Sequence, residues 1–205
     1  GSEMCKETGY NIVGAVSGSY NVGTGETYTT LTGATGFFKF VNDNVVTGNV
    51  TVNITSDLSE DGTNGLNQWV EDAPGGFTMI IKSSAATERL ISGAVSNGMI
   101  RLNGADRVTI DGRVSGSGKY LRFRNTNTSN PTITLLNDAS DNTIRDCYIE
   151  GATTSTTNGV VFISTGSTTG NDNNMIRDCV KEIEVMHPAV SYTHLRAHET
   201  PEHLV

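Results

Sequence analysis

Arg107-Val108-Thr109-Ile110-Asp111-Gly112 returns as Asp141-Asn142-Thr143-Ile144-Arg145-Asp146-Cys147 and again as Asn173-Asn174-Met175-Ile176-Arg177-Asp178-Cys179, a recurrence of about 33 residues. Each copy follows a short β-like run: Met99 to Leu102, Thr132 to Leu135, and Val160 to Ile163. Strand, turn and strand thus repeat as a unit too small to bury its own apolar face, so the copies must stack. The pattern predicts an all-β chain folded as a right-handed parallel β-helix, a solenoid in which Ile110, Ile144 and Ile176 share one inward column. Gly93, Asn97-Gly98, Asn103-Gly104, Asp111-Gly112 and Asn158-Gly159 supply turn residues for its corners.

Upstream, Asn49 to Thr55 alternates cleanly and reads as a strand with Val50, Val52 and Ile54 inward. Between Gly36 and Gly48 the period changes, because Phe37, Phe40, Val41 and Val45 fall on one helical face. This predicts a short N-terminal capping helix over 35–47, within a cap segment 33–48, started by Thr35 and stopped by Gly48. Such a helix would cover the apolar end and open strand edges of the first coil. Residues 1–32 read as lead-in strands, with alternating runs at Asn11-Ile12-Val13 and Thr27 to Leu31. Ser56 to Gly76 reads as a long polar loop carrying the only tryptophan, Trp69, after which Phe77 to Ile81 opens the regular coils. Coils are expected across 49–180.

Both ends suggest a piece of something longer, truncated at its C-terminus. Gly1-Ser2-Glu3-Met4-Cys5 has no methionine at position 1 and no basic segment leading into an apolar stretch, so no signal peptide is there to be read. The run Ala189-Val190-Ser191-Tyr192-Thr193-His194-Leu195-Arg196-Ala197-His198-Glu199-Thr200 resembles an in-frame translation of a transposase-type sequencing adapter, and residues 190–205 are set aside on that ground. Residues 181–205 are expected to be a non-native tail. The spacing His194-x-x-x-His198, with His203 beyond, would otherwise suggest zinc ligands on one helical face; in an adapter it carries no chemistry.

The chain has a formal net charge of -8, and removing the tail changes it by a single unit. An acidic surface argues against nucleic acid, whose phosphates demand basic patches. No apolar run approaches the length of a membrane span. Gly, Ser, Thr and Asn make up roughly two-fifths of the chain, which with recurring β-branched runs fits a turn-rich solenoid rather than disorder. Cys5, Cys147 and Cys179 are too few for a disulfide scaffold. Cys147 and Cys179 hold the same place in successive repeats, about 4.8 Å apart at their backbones. Parallel side-chain vectors suit a bridge poorly, so inward thiols are expected.

The cap helix, the phrase Arg101-Leu102-Asn103-Gly104-Ala105-Asp106-Arg107-Val108-Thr109-Ile110-Asp111-Gly112 and the phrase Asp141-Asn142-Thr143-Ile144-Arg145-Asp146-Cys147-Tyr148-Ile149 together resemble a known family. It is the N-terminal β-helical region of large secreted or surface proteins of Bacteroidetes-type bacteria, usually exported by type IX secretion and pectin-lyase-like in fold. The resemblance spans roughly residues 17 to 180. It implies an extracellular or outer-surface location in a bacterium, and a scaffold rather than a catalyst.

A polygalacturonase needs paired carboxylates, and a pectate lyase needs a calcium clamp with a basic residue to abstract a proton. The Asn-Thr-Asp, Gly-His-Gly and Arg-Ile-Lys motifs by which polygalacturonases resemble one another are missing. The best remaining catalytic candidates are Arg145, Asp146, Arg177 and Asp178, on adjacent rungs with Asp111 one rung before. The bland alternative is cross-rung ion pairing on the outer face. Asn142 and Asn174 repeat in register, as an amide ladder would. Asp138, Asp141 and Asp172 lie in loops that could supply oxygen ligands, which would suit calcium, although no EF-hand pattern is present. Two functions stay open: a non-catalytic extracellular segment serving as stalk, adhesin or module contacting a polysaccharide or cell-surface glycan, and a fragment of a polysaccharide lyase or glycoside hydrolase. The first predicts a flat Thr/Asn/Ser face; the second requires Arg145, Asp146 and Asp178 to converge in a cleft.

Overall fold

The computed structural model describes residues 14–164 and 166–183. Cys5, the run 11–13, and the tail with His194, His198 and His203 lie outside the described residues. Within them the chain is a parallel β-solenoid of three sheets.

Strand β1 (Ala15–Val22) lays the first rung of sheet A, and helix α1 (Phe37–Asn42) follows. The first full coil is β2 (Val45–Ile54) in sheet A, β3 (Leu58–Ser59) in sheet B and β4 (Leu66–Asn67) in sheet C, with β5 (Val70–Glu71) beside the start of β2. The second coil repeats the order with β6 (Met79–Ser83), β7 (Arg89–Gly93) and β8 (Ile100–Asn103). The third has β9 (Val108–Asp111), β10 (Leu121–Asn125) and β11 (Ile133–Leu136). The fourth has β12 (Thr143–Arg145), β13 (Tyr148–Gly151) and β14 (Val161–Ile163); β15 (Met175–Arg177) and β16 (Val180–Ile183) begin the next.

Every named strand pairing is parallel, so inward residues stack in columns. In sheet A, Val52, Ile81, Ile110, Ile144 and Ile176 are register partners from rung to rung. Sheet B stacks Leu58, Ile91, Phe123 and Ile149, and sheet C stacks Leu66, Leu102, Leu135 and Ile163. Ile110 and Ile144 are buried, and Ile176 on the last described rung of its sheet is half-buried against them. Full burial of such a side chain contributes about 1.5–3 kcal/mol, and the columns supply it repeatedly with one motif.

The expected cap exists but is smaller than its pattern suggested. Phe37, Phe38 and Val41 of α1 are fully buried, and Phe37 and Phe40 join Tyr20 and Tyr28 in a ring cluster with centroids 5.1–6.4 Å apart. Thr35 does not cap it. The N–H groups of Phe37 and Phe38 donate to Thr30 and Leu31 carbonyls at 3.0 and 2.9 Å, so the preceding loop already satisfies the first turn. Val45 begins β2, and Gly48 lies inside that strand, where the pairing with β1 shifts register. The glycine marks a bulge rather than a helix stop. The run Thr27 to Leu31 forms only an isolated bridge through Tyr28.

The region 56–76 differs most from expectation. It is not a loop outside the coils but the remainder of the first coil, holding β3, β4 and β5. Its strands expose only Leu58 and Leu66 to the core, and two isolated leucines make no alternating run. The buried carboxylate of Glu60 ties this coil to the cap: it accepts the N–H groups of Leu31 and Thr32 at 2.8 and 2.7 Å and the Thr32 hydroxyl at 2.5 Å. Burial pushes its pKa above the ordinary carboxylate range, against those three bonds.

Candidate functional site

The corner between sheets A and B gathers the charged residues singled out in the repeat. Outward-facing Asn53, Lys82, Asp111, Arg145 and Arg177 are register partners on successive rungs of sheet A. Between β9 and β10 the chain makes an excursion that the fourth coil lacks, closed at its base by Tyr120 N–H to Gly112 carbonyl and pinched by reciprocal bonds between Val114 and Ser117 at 3.0 and 3.2 Å. Gly112 permits the corner: a Cβ there would stand 1.8 Å from the Asp146 carbonyl oxygen of the next coil. The excursion overhangs sheet A and walls a recess of about 330 Å³ lined by Asn53, Ile80, Lys82, Asp111, Arg113 and the hairpin tip.

The charged candidates pair across rungs, with each other and with residues of the excursion. Arg145 Nη2 donates to Asp111 Oδ2 at 2.7 Å on the rung before. Arg113, from the excursion, grips the same carboxylate through Nε and Nη2 at 3.0 and 3.1 Å. Asp146 lies 3.4 Å from both Arg113 Nε and Lys119 Nζ, and Lys119 also donates to the Asp178 carbonyl. The Asp178 carboxylate pairs with neighbouring Arg177 at 3.4 Å, in solvent. Arg145, Asp146 and Asp178 therefore do not converge in one cleft. Arg113 and Lys119 were the residues that the repeat could not show, since they lie in the inserted stretch; the longer spacing from Ile110 to Leu121 than from Ile144 to Tyr148 is its only trace.

The electrostatics follow from the pairing. Burial would raise the Asp111 carboxyl, but hydrogen bonds from Arg113 and Arg145 outweigh it and hold the pKa down at about 2. A general acid needs the opposite tuning. Among the described residues Asp111 is the one carboxylate lining the recess, whereas glycoside hydrolysis uses two.

The loop aspartates are also spoken for or scattered. Asp138 accepts backbone N–H groups from Ser167, Thr168 and Gly170 at 2.8–2.9 Å and the Ser167 hydroxyl at 2.7 Å, so the next coil's loop wraps its carboxylate and pulls its pKa well below the usual range. Asp141 holds a left-handed corner with φ 57° and donates its N–H to the Asp172 carbonyl; both side chains face solvent. Among the described residues no three His, Cys, Asp or Glu side chains gather in a metal-sized cluster.

No known protein family, curated protein or solved structure matches this chain.

Cys147 and Cys179 are free thiols, the first buried and the second half-buried. They lie on successive coils and interact with each other. That interaction, with burial, pushes the Cys147 thiol up, while it pulls Cys179 down to about 7. Elsewhere, Glu150 of sheet B is a nearly buried carboxylate bridged by Arg122 and Arg124, with Arg122 stacked 4.2 Å over Tyr148. These contacts join rungs.

Proposed function

We propose that this chain is a segment of a non-catalytic extracellular β-helix, a surface scaffold that contacts glycans rather than cleaving them. The observation that carries the reading is the state of Asp111. Its carboxylate is clasped by two arginines and stays ionised at any physiological pH, so the one acidic group lining the recess at the corner of sheets A and B can neither donate a proton nor act as a free base. Its neighbour Asp146 is paired with Arg113 and Lys119, 3.4 Å from each. Thr51, Thr109 and Thr143 in one outward row of sheet A, interrupted by Ile80, and Asn97, Asn130 and Asn158 beside sheet C supply hydroxyls and amides for weak contact with sugars. The resemblance to secreted β-helical regions supports the location.

The test is incubation of the protein with pectate, alginate and neutral glucans, following new reducing ends and the ultraviolet absorbance of unsaturated products. No turnover is expected. Cleavage that vanishes in Asp111→Asn would overturn the reading.

A further inference from the structure

We propose that the outward face of sheet C carries a binding site for a single acidic sugar ring, its carboxylate on Arg101, a hydroxyl on Thr134 and its apolar face on Phe162. The proposal deepens the glycan-contacting part of the function above and rests on it for context, but its geometry is separate from the charged corner of sheets A and B.

Arg101, Thr134 and Phe162 are register partners on three successive rungs. A guanidinium, a hydroxyl and an aromatic ring thus lie in one line at intervals of about 4.8 Å. They border a recess of about 200 Å³, whose rim at the preceding corner is a second column, Asn97, Asn130 and Asn158. Its size is below that of drug-sized pockets and suits one ring.

Two of these groups have unmet bonding capacity. The Thr134 hydroxyl is buried, with the residue only 8% exposed, yet its oxygen has no hydrogen-bond partner. A buried hydroxyl without a partner is costly, and a ligand oxygen arriving through the recess would relieve it. Gly98 lies close beside it: a Cβ there would stand 2.7 Å from that hydroxyl oxygen, so a larger residue would crowd the recess. Arg101 is half-buried and has no carboxylate partner among the described residues. Its Nη1 and Nη2 donate to the Asn97 and Thr63 carbonyls at 3.1 and 3.3 Å, which fixes the plane of the guanidinium. Those two bonds leave most of its five N–H donors for a ligand. Most of this chain's other arginines face a carboxylate, so a desolvated, uncompensated guanidinium in an acidic protein is a selective seat for an anion. Phe162, partly exposed on the next rung, gives a sugar ring an apolar platform.

The chemistry recognised is a pyranose bearing a carboxylate, which a uronic acid within a polysaccharide or a sialic acid at a glycan terminus would both present. The experiment is an NMR titration of the full chain with methyl β-glucuronide, a methyl α-sialoside and methyl β-glucoside at up to about 20 mM. Saturable shifts at Arg101, Thr134 and Phe162 are expected with at least one acidic sugar, and which one responds separates the two sources. The neutral glucoside should bind at least about tenfold more weakly. Arg101→Gln should abolish the preference for acid, and Phe162→Ala should weaken binding about tenfold. Thr134→Val, which keeps shape and β-branching, should weaken it several-fold without loss of fold. Absence of saturable shifts with both acidic sugars, equal binding of the neutral one, or undiminished binding by Arg101→Gln and Thr134→Val would overturn the proposal. None of these outcomes touches the non-catalytic reading, which falls only if a polysaccharide is cleaved.

Discussion

Two corners of the same solenoid hold their rungs together by different chemistry. Between sheets C and A, Asn142 accepts the Val108 N–H at 2.9 Å and donates to the Ala105 carbonyl at 2.9 Å. One coil on, Asn174 accepts the Asn142 N–H at 3.1 Å and donates to the Ala139 carbonyl at 2.7 Å. Between sheets A and B, the stitches are the ion pairs of Asp111, Asp146, Arg113, Arg145 and Lys119. An amide carries both donor and acceptor, so identical residues stack without repulsion and the ladder can propagate. A charge stacks only on its opposite. Lys82, Asp111 and Arg145 alternate in sign, but Arg177 follows Arg145 with the same sign and swings to Asp178 in solvent. The charged corner therefore needs help from outside the repeat, and the excursion brings it in Arg113 and Lys119.

This contrast makes ranked predictions. Asn142→Ala should destabilise most, by about 2–4 kcal/mol in urea unfolding, because it strands a buried N–H and a buried carbonyl together. A loss below about 0.5 kcal/mol would mean that water replaces the ladder. Asp111→Asn should cost less, about 1–2 kcal/mol at neutral pH, since partly exposed ion pairs are screened. The pH dependence sharpens this point. The folded pKa near 2 lies below the ordinary value of 3.8, so the carboxylate's contribution is whole at higher pH and is lost as pH falls from about 4 toward 2. In Asp111→Asn that part of the acid limb should flatten. Arg177→Ala should matter least, within about 0.5 kcal/mol, because its pair is exposed; an effect as large as that of Asp111→Asn would erase the distinction between repeat-borne and insert-borne charges.

The same contrast governs what the sequence could reveal. The ladder was legible because Asn142 and Asn174 recur beside Ile144 and Ile176; that isoleucine column announces sheet A, and the runs ahead of it, Met99 to Leu102, Thr132 to Leu135 and Val160 to Ile163, announce sheet C. Arg107, Asp141 and Asn173 show the limit: all three hold the same left-handed corner, with φ 54–59°, but one is an arginine and breaks the pattern by type. The remainder of the first coil after β2 reads as a loop because β3 and β4 place a single leucine each in the core, a signal too short for any period. The helix boundary failed for a different reason, since backbone carbonyls of Thr30 and Leu31 did the capping that a side chain was expected to do. At the candidate site, Asp111, Arg145 and Asp146 could be named from the repeat, but their partners could not, because an insertion has no copy to be compared with. The recess on sheet C was invisible for a similar reason: Arg101, Thr134 and Phe162 share a register position but no chemical type.

The central claim is that Ile81, Ile110, Ile144 and Ile176 stand one above the next inside a parallel coil. Isoleucine-methyl labelling with NOE spectroscopy tests it directly. Rungs about 4.8 Å apart predict cross-peaks linking 81 to 110, 110 to 144 and 144 to 176 in sequence. Absence of those peaks, with the four methyl groups contacting solvent or unrelated residues instead, would contradict the solenoid and every site built upon it.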